Sequence, residues 1–233
     1  MDEEIILRII RTALSLAIVY FSVKKVAALA GNSRTGDGRA QRGMAAYVRK
    51  DYVTAAEELR QATILGVKQI KREDVYTVLG KAERALGQRE RAIASFEKAL
   101  SINPGHVSGW LQLGLLHDAE GKVEEAEACY RKALAAEPQS AEAYNNLGAL
   151  YIHGDEPERA IGHLQRAVAL DPRLAVAHGN LAAAYAMAGR PAEADAEVQL
   201  AIRRGYDDPD VLREYVGNLK SLQGTTAPPS TGD

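Results

Sequence analysis

The stretch that decides the fold is residues 107–140, which read VSGWLQLGLLHDAEGKVEEAEACYRKALAAEPQS. Trp110, Leu113 and Gly114 fall on one side of a first helical segment, which Gly121 interrupts. A second segment carries small and aromatic residues on one face and ends at Pro138. These spacings predict two helices joined by a tight turn.

The same pattern returns when the sequence is shifted by 34 residues in either direction. The columns that recur are an aromatic residue, a leucine, a glycine, two alanines and a proline. Their members are Tyr76, Trp110 and Tyr144; Leu79, Leu113, Leu147 and Leu181; Gly80, Gly114 and Gly148; Ala92, Ala126, Ala160 and Ala194; Ala99, Ala133, Ala167 and Ala201; Pro104, Pro138 and Pro172. A fixed period of this size predicts a stack of helical hairpins.

The period and the order of these columns resemble the tetratricopeptide repeat (TPR) family. The resemblance covers residues 73–208 closely and residues 36–72 more loosely. It implies an all-α, right-handed superhelical solenoid of stacked helix-turn-helix repeats with a C-terminal capping helix. The expected segments are an N-terminal hydrophobic helix (1–30), a linker (31–38), a degenerate first repeat (39–72), three regular repeats (73–106, 107–140 and 141–174), a divergent repeat (175–208), the capping helix (209–222) and a disordered tail (223–233).

Composition agrees with an all-helical chain. The 233 residues are 46% hydrophobic but only 6% aromatic, and no stretch alternates apolar and polar residues as a half-buried strand would. The formal net charge is -2, with basic residues concentrated in residues 1–72 and acidic residues after them. This asymmetry either favours an anionic surface near the N-terminus or reflects solvated helix faces.

Residues 5–23 form the most apolar segment of the chain, interrupted by Arg8, Arg11 and a few hydroxyls. A helix of this length measures about 28 Å, which is close to the thickness of a bilayer core. We therefore expect a single membrane anchor, with the basic residues that follow it placing the repeats on the cytoplasmic side. The apolar positions of this helix are Ile5, Ile9, Leu14, Leu16, Ile18, Val19, Phe21 and Val23.

Two alternatives to the anchor stay open. Ala28 and Ala30 have the small-x-small form of a signal-peptide cleavage site, which would give an exported or periplasmic protein. The third possibility is a soluble cytoplasmic protein whose N-terminal helix packs its apolar face on a partner, lies in a membrane surface or covers the protein's own groove.

The sequence offers no chemistry for catalysis. Cys129 is the only cysteine, which excludes an internal disulfide and a site built from several thiolates. The five histidines are scattered, and neither HExxH spacing, a nucleophile elbow nor a phosphate loop occurs. We expect no enzyme, cofactor, metal or small-molecule substrate, and thin aromatic interleaving of the basic residues disfavours nucleic acid.

The resemblance to TPR proteins implies a groove on the concave surface. In that family the second, fifth, ninth and twelfth positions of each first helix line it. On this sequence the positions are Asp74, Thr77, Lys81 and Arg84; Ser108, Leu111, Leu115 and Asp118; Glu142, Asn145, Ala149 and Ile152; Val176, Gly179, Ala183 and Ala186. Such a groove begins basic and turns apolar, which suits a hydrophobic-faced helix or an extended segment of another protein.

These patterns together predict a function in protein assembly. We expect a non-catalytic, membrane-tethered scaffold or adaptor that assembles or stabilises a multiprotein complex through the concave groove. The alternative is a soluble TPR adaptor whose N-terminal helix mediates oligomerisation or covers its own groove.

Overall fold

The computed structural model describes residues 34–224, and this part of the chain is entirely α-helical apart from its turns. Its helices form five antiparallel hairpins and a last single helix. They are α1 (Gly36–Val48), α2 (Tyr52–Leu65), α3 (Arg72–Ala85), α4 (Arg89–Ile102), α5 (Val107–Ala119), α6 (Val123–Ala136), α7 (Ala141–His153), α8 (Pro157–Leu170), α9 (Ala175–Met187), α10 (Pro191–Arg203) and α11 (Pro209–Gly224). The predicted all-α fold of stacked helical hairpins is confirmed.

Local sequence sets the helix ends. The Asp51 carboxylate accepts the Thr54 backbone N–H at 3.2 Å at the start of α2, and the Ser140 hydroxyl accepts from the backbone of Ala143 at the start of α7. Pro157 is the first residue of α8, where its missing N–H leaves no intrahelical bond unmade. Each of these three helices therefore begins where its capping chemistry predicts.

The turn inside each of the five hairpins within residues 34–224 contains one residue with a left-handed backbone, and in the hairpin of α1 and α2 it is Lys50, with φ 63°. Gly87, Gly121 and Gly189 adopt φ values of 73°, 70° and 70°. Asp155 stands at the same place in the hairpin of α7 and α8 and adopts φ 55°. Aspartate is among the few residues that tolerate this conformation, so the turn keeps its shape without glycine.

The chain divides into two compact units, Met1–Ile102 and Asn103–Asp233. In the first unit, Leu59, Val75 and Leu79 are at most 4% exposed and form a core between α2 and α3. In the second unit, a larger apolar core extends through α5 to α11. Its largest buried side chains are Tyr130, Leu147, Leu150, Tyr151, Leu164, Leu181 and Val216.

The glycine column marks the closest approach of the two helices in a hairpin. A Cβ atom added at Gly114 would lie 2.5 Å from Cε1 of Tyr130, and one at Gly80 would lie 2.5 Å from Cε1 of Phe96. Both distances are far below van der Waals contact, so only glycine fits beside these rings. The predicted packing role of this column is confirmed.

The N-terminal part of the described chain is tied down by one carboxylate. Asp37 lies in the first turn of α1, inside the stretch predicted as a linker, and is 8% exposed. Its oxygens accept the backbone N–H groups of Lys68, Gln69 and Ile70 at 3.0–3.2 Å. These bonds lower the pKa of the Asp37 carboxyl, the largest cause being the bond from Gln69. The connection between α2 and α3 is thereby fixed against α1.

Residues 1–33 and 225–233 lie outside the described part of the chain. The predicted hydrophobic helix, its apolar positions and the predicted disordered tail therefore lie there or extend into it. Between residues 34 and 224, no helix is both long enough and apolar enough to cross a membrane.

Candidate partner-binding groove

The inner side of the second unit is formed by the first helix of each hairpin. Helices α5, α7, α9 and α11 approach one another closely in succession, whereas α6, α8 and α10 are spaced more widely within residues 103–224. The ion pair of Arg159 and Glu127, at 3.8 Å, bridges α6 and α8 across this wider spacing. The stack is therefore more closely spaced along its first helices and curves around them. This places the surface of α5, α7 and α9 on the concave side.

The predicted groove residues of the second unit differ in what they expose. Leu111 and Ala183 are each 2% exposed and Ile152 is 8% exposed, so these side chains mainly pack between helices. Val176 is 41% exposed. The remaining members are half-buried (Ser108, Leu115, Asp118 and Ala149), exposed (Glu142) or buried (Asn145, Gly179 and Ala186).

The predicted groove residues of the first unit lie on α3. Thr77 is 3% exposed, and its hydroxyl donates to the backbone oxygen of Glu73 at 2.8 Å, within the same helix. Asp74 and Lys81 are half-buried and Arg84 is exposed. On this unit, then, the predicted set contributes mainly charged groups to the surface.

A row of carboxamides crosses the second unit at the sixth position of each first helix. Gln112 on α5, Asn146 on α7 and Asn180 on α9 are 34 residues apart and form what we call the carboxamide row. Gln112 and Asn146 are 6% and 8% exposed, and Asn180 is half-buried. The predicted groove included the neighbouring Asn145 but not these three residues, although their regular recurrence was visible in the sequence.

The row is joined by hydrogen bonds at one end. The amide nitrogen of Asn180 donates to the side-chain oxygen of Asn145 at 2.9 Å, and the amide nitrogen of Asn145 donates to the oxygen of Asn146 at 3.3 Å. These bonds connect α9 to α7 and hold the Asn145 and Asn146 side chains in defined orientations.

Two polar atoms of the row have no hydrogen-bond partner among the described residues. They are the acceptor Oε1 of Gln112 and the donor Nδ2 of Asn146, and both are buried. A buried polar group without a partner costs about 1–3 kcal/mol. A carboxamide presents one acceptor and two donors, which matches the C=O and N–H groups of a peptide backbone. Both atoms are closed to solvent, so an extended chain could bond to them only once the side chains that cover them move aside.

Aromatic and charged groups surround His163 on α8. The ring of His163 stacks on Tyr151 and Tyr144 at centroid distances of 5.3 and 6.1 Å. Burial lowers the pKa of His163, and the guanidinium groups of Arg131 and Arg159 lower it further. Arg159 also lies 4.0 Å from the centre of the Tyr151 ring and donates to its hydroxyl at 2.7 Å. These contacts rigidify the hairpin of α7 and α8.

The described residues contain no arrangement for metal or thiol chemistry. No group of three or more His, Cys, Asp or Glu residues is placed to hold a metal ion within residues 34–224. Cys129 is 6% exposed, and burial raises the pKa of its thiol, which disfavours the reactive thiolate.

One protein-family model matches most of the chain. The model described as "Cilia and flagella-associated protein 70 C-terminal domain", a TPR domain, matches residues 22–226. The chain belongs to this TPR family. No curated protein matches the sequence.

Solved TPR structures resemble the chain in fold. A thermophilic TPR protein of Thermus thermophilus shares 20% identity at a TM-score of 0.65, over 79% of this chain and 98% of that one. PilF of Pseudomonas aeruginosa shares 16% identity at a TM-score of 0.67, over 84% and 88%. MamA of Desulfovibrio magneticus RS-1 shares 22% identity at a TM-score of 0.59, over 74% and 97%. At these identities the likeness shows the fold alone.

Membership in the TPR family indicates that the chain functions in protein recognition. Proteins of this family are generally non-catalytic interaction scaffolds. The inner surface of α5, α7 and α9 is the candidate site for that role.

Proposed function

We propose that this TPR protein is a non-catalytic, membrane-tethered scaffold that holds an extended segment of a partner protein on the inner surface of its second unit. The carboxamide row is the observation that carries the proposal. Through such binding the protein assembles or stabilises a multiprotein complex. Residues 5–23 supply the tether, with the repeats on the cytoplasmic side.

The row supports an extended ligand because it offers hydrogen bonds at regular intervals. Gln112 provides a buried acceptor and Asn146 a buried donor that the described part of the protein leaves without a partner. An extended peptide carries its own N–H and C=O groups along both edges and needs such partners when it leaves water. When the side chains that cover these two atoms move aside, pairing with the peptide backbone satisfies both sets of groups, and this part of the binding does not depend on the side chains of the ligand.

Side-chain preference comes from the residues beside the row. Leu115 and Ala149 are half-buried and Val176 is exposed, so they offer an apolar floor. Glu142 is an exposed carboxylate, and the Asp118 carboxylate lies 3.2 Å from Nδ1 of His153. The preferred segment therefore combines apolar side chains with a basic residue.

The groove is tested with peptides selected from a random displayed library against the full chain. The affinity of a selected peptide is then measured for the wild type, for Asn146→Leu and for Gln199→Leu. Gln199 is exposed on the second helix α10 and serves as the matched control. Loss of the Asn146 carboxamide should weaken binding about tenfold or more, and the control should leave it unchanged.

Methylation of single backbone nitrogens in the selected peptide gives an independent readout. Because the proposal rests on backbone hydrogen bonds, methylation at some positions should abolish binding while leaving every side chain intact. Equal affinity of wild type and Asn146→Leu, together with tolerance of methylation at every position, would contradict the proposed binding mode.

The tether is tested separately by cell fractionation. The full chain should remain with membranes after carbonate washing, whereas a variant lacking residues 5–23 should be released. Release of the full chain would support the soluble adaptor instead and would leave the groove proposal standing.

A further inference from the structure

The last helix carries a stripe of largely exposed side chains on the side away from its core-facing residues. Val211, Tyr215 and Leu222 on α11 are 58%, 46% and 62% exposed, and Asn218 is also exposed. We call these four residues the outer stripe. Their spacings of four, three and four residues place them on one side of the helix. Leu212 and Val216, at 3% and 2% exposed, face the core instead.

The same positions are buried in every other first helix of the second unit. The third, seventh and tenth residues of these helices are Gly109, Leu113 and Leu116 in α5; Ala143, Leu147 and Leu150 in α7; and Ala177, Leu181 and Ala184 in α9. In α11 they are Val211, Tyr215 and Asn218. The outer stripe is thus the surface on which a further element would stack. A helix that closes a repeat stack normally presents a polar outer face, and this one is mainly apolar.

We infer that the outer stripe pairs with the outer stripe of a second copy of the chain, as an antiparallel helix pair with twofold symmetry. The spacing reads the same in both directions, so one register matches all four positions. It brings Val211 opposite Leu222 of the partner subunit and Tyr215 opposite Asn218 of the partner subunit. The phenol hydroxyl of Tyr215 is then placed to donate to a carboxamide oxygen.

The charges around the stripe are compatible with this pairing. None of the four residues is charged, and the two nearby cations are engaged on their own molecule. Arg213 lies 2.7 Å from Asp210, and Lys220 lies 2.7 Å from Asp195. In the proposed register Glu214 faces Leu219 of the partner subunit. Arg213 falls level with Lys220 of the partner subunit, but both lie on the side of the helix away from the stripe, so no like charges are opposed across the pair.

The size of the contact sets the strength of the dimer. A helix of 16 residues is about 24 Å long. One pair of helix faces buries less than the roughly 800 Å² per partner of a standard stable interface. The dimer is therefore weak and reversible.

Sedimentation equilibrium of the full chain in density-matched detergent tests the pairing. The variant V211E/L222E places like charges opposite each other and should raise the dimer dissociation constant about tenfold or more. The matched control is V53E/I64E on α2, because Val53 and Ile64 are 66% and 71% exposed and are also eleven residues apart. The control should dimerise as the wild type does.

A charge-reversed mixture decides the register. V211K/L222K should also fail to self-associate, but an equimolar mixture with V211E/L222E should form heterodimers at least as strong as the wild-type dimer. Circular dichroism establishes that each variant is folded, since the substituted side chains are exposed. The inference is overturned by a wild type that stays monomeric up to its solubility limit. It is equally overturned by variants that dimerise like the wild type, by a control weakened to the same extent, or by a mixture that remains monomeric.

Discussion

The side-chain nitrogen of Asn180 donates to the side-chain oxygen of Asn145 at 2.9 Å and so links the first helices of two successive hairpins. Asn145 is 6% exposed, so the bond lies where water cannot easily replace it. It is a polar contact between repeats whose other contacts are mainly apolar. Its geometry orients the Asn145 and Asn146 carboxamides on the inner surface.

Removing one partner of this bond should destabilise the second unit. Asn180→Ala leaves the Asn145 oxygen buried without a donor, so the free energy of unfolding should fall by about 1–3 kcal/mol. The double variant Asn145→Ala/Asn180→Ala should lose less unfolding free energy than the two single variants together, because the donor and the acceptor of the bond are then both absent. Urea unfolding measures all three, with Gln199→Ala as an exposed control. Strict additivity would show that the bond contributes nothing.

Substitution of the closely packed glycine should reveal the opposing effects of propensity and packing. Alanine favours a helix over glycine by about 1 kcal/mol, but at Gly114 its Cβ would lie 2.5 Å from the Tyr130 ring. We expect the clash to win, with Gly114→Ala losing about 1–3 kcal/mol in urea unfolding. Gly162 lies on α8 with no atom within 4 Å of an added Cβ, so Gly162→Ala should be stabilising.

The divergent repeat suggests how the clash can be relieved. Ala182 occupies the glycine column there, and Val198 replaces the aromatic residue that faces it; they are 0% and 4% exposed. A smaller second residue thus accompanies a larger first one. Tyr130→Val alone should be destabilising because it opens a cavity, but it should cost less stability in the Gly114→Ala background than in the wild type. If the double variant is as unstable as the sum of its parts, the two columns do not compensate as proposed.

Much of the fold was predictable because close packing requires a particular type of residue at the same position of each repeat. Gly80, Gly114 and Gly148 each need space for one facing ring or leucine, and that need recurs every 34 residues. The groove was less predictable because exposure depends on the spacing and tilt of neighbouring helices. Leu111 is 2% exposed and Val176 is 41% exposed, although both stand at positions expected to line the same surface.

A buried carboxylate in the first unit should make one ion pair important. Glu83 is 3% exposed, receives a hydrogen bond from the Ser95 hydroxyl at 2.6 Å and lies 2.9 Å from Nη2 of Arg60. Arg60→Met removes the counter-charge and should lower the free energy of unfolding by about 1–3 kcal/mol.

The control for this ion pair is an exposed one. Arg213 pairs with Asp210, whose side chain is 93% exposed, so Arg213→Met should change stability by less than about 1 kcal/mol. Equal effects of the Arg60 and Arg213 substitutions would mean that burial of Glu83 does not strengthen its dependence on a partner.

The environment of His163 should make the stability of the second unit depend on pH. Burial between Tyr144 and Tyr151, assisted by Arg131 and Arg159, lowers the pKa of His163 below its ordinary value in the folded chain. The unfolded chain then binds a proton more readily than the folded one. The contribution of neutral His163 to the free energy of unfolding is fully present above the ordinary pKa of about 6.5. It is lost as the pH falls through the lowered pKa that His163 has in the folded chain.

His163→Phe keeps an aromatic ring in the stack but removes the titrating group. The difference in unfolding free energy between wild type and variant, measured by urea unfolding from pH 8 to about pH 5, should therefore shift in favour of the variant as the pH falls. Taking the difference cancels the contributions of the other histidines, which titrate in both proteins. A matched variant, His106→Phe, replaces a half-buried histidine next to the start of α5 and controls for the exchange of an imidazole for a phenyl ring. A pH-independent difference for His163→Phe would mean that its protonation is not linked to folding, because linkage requires a pKa that differs between the two states.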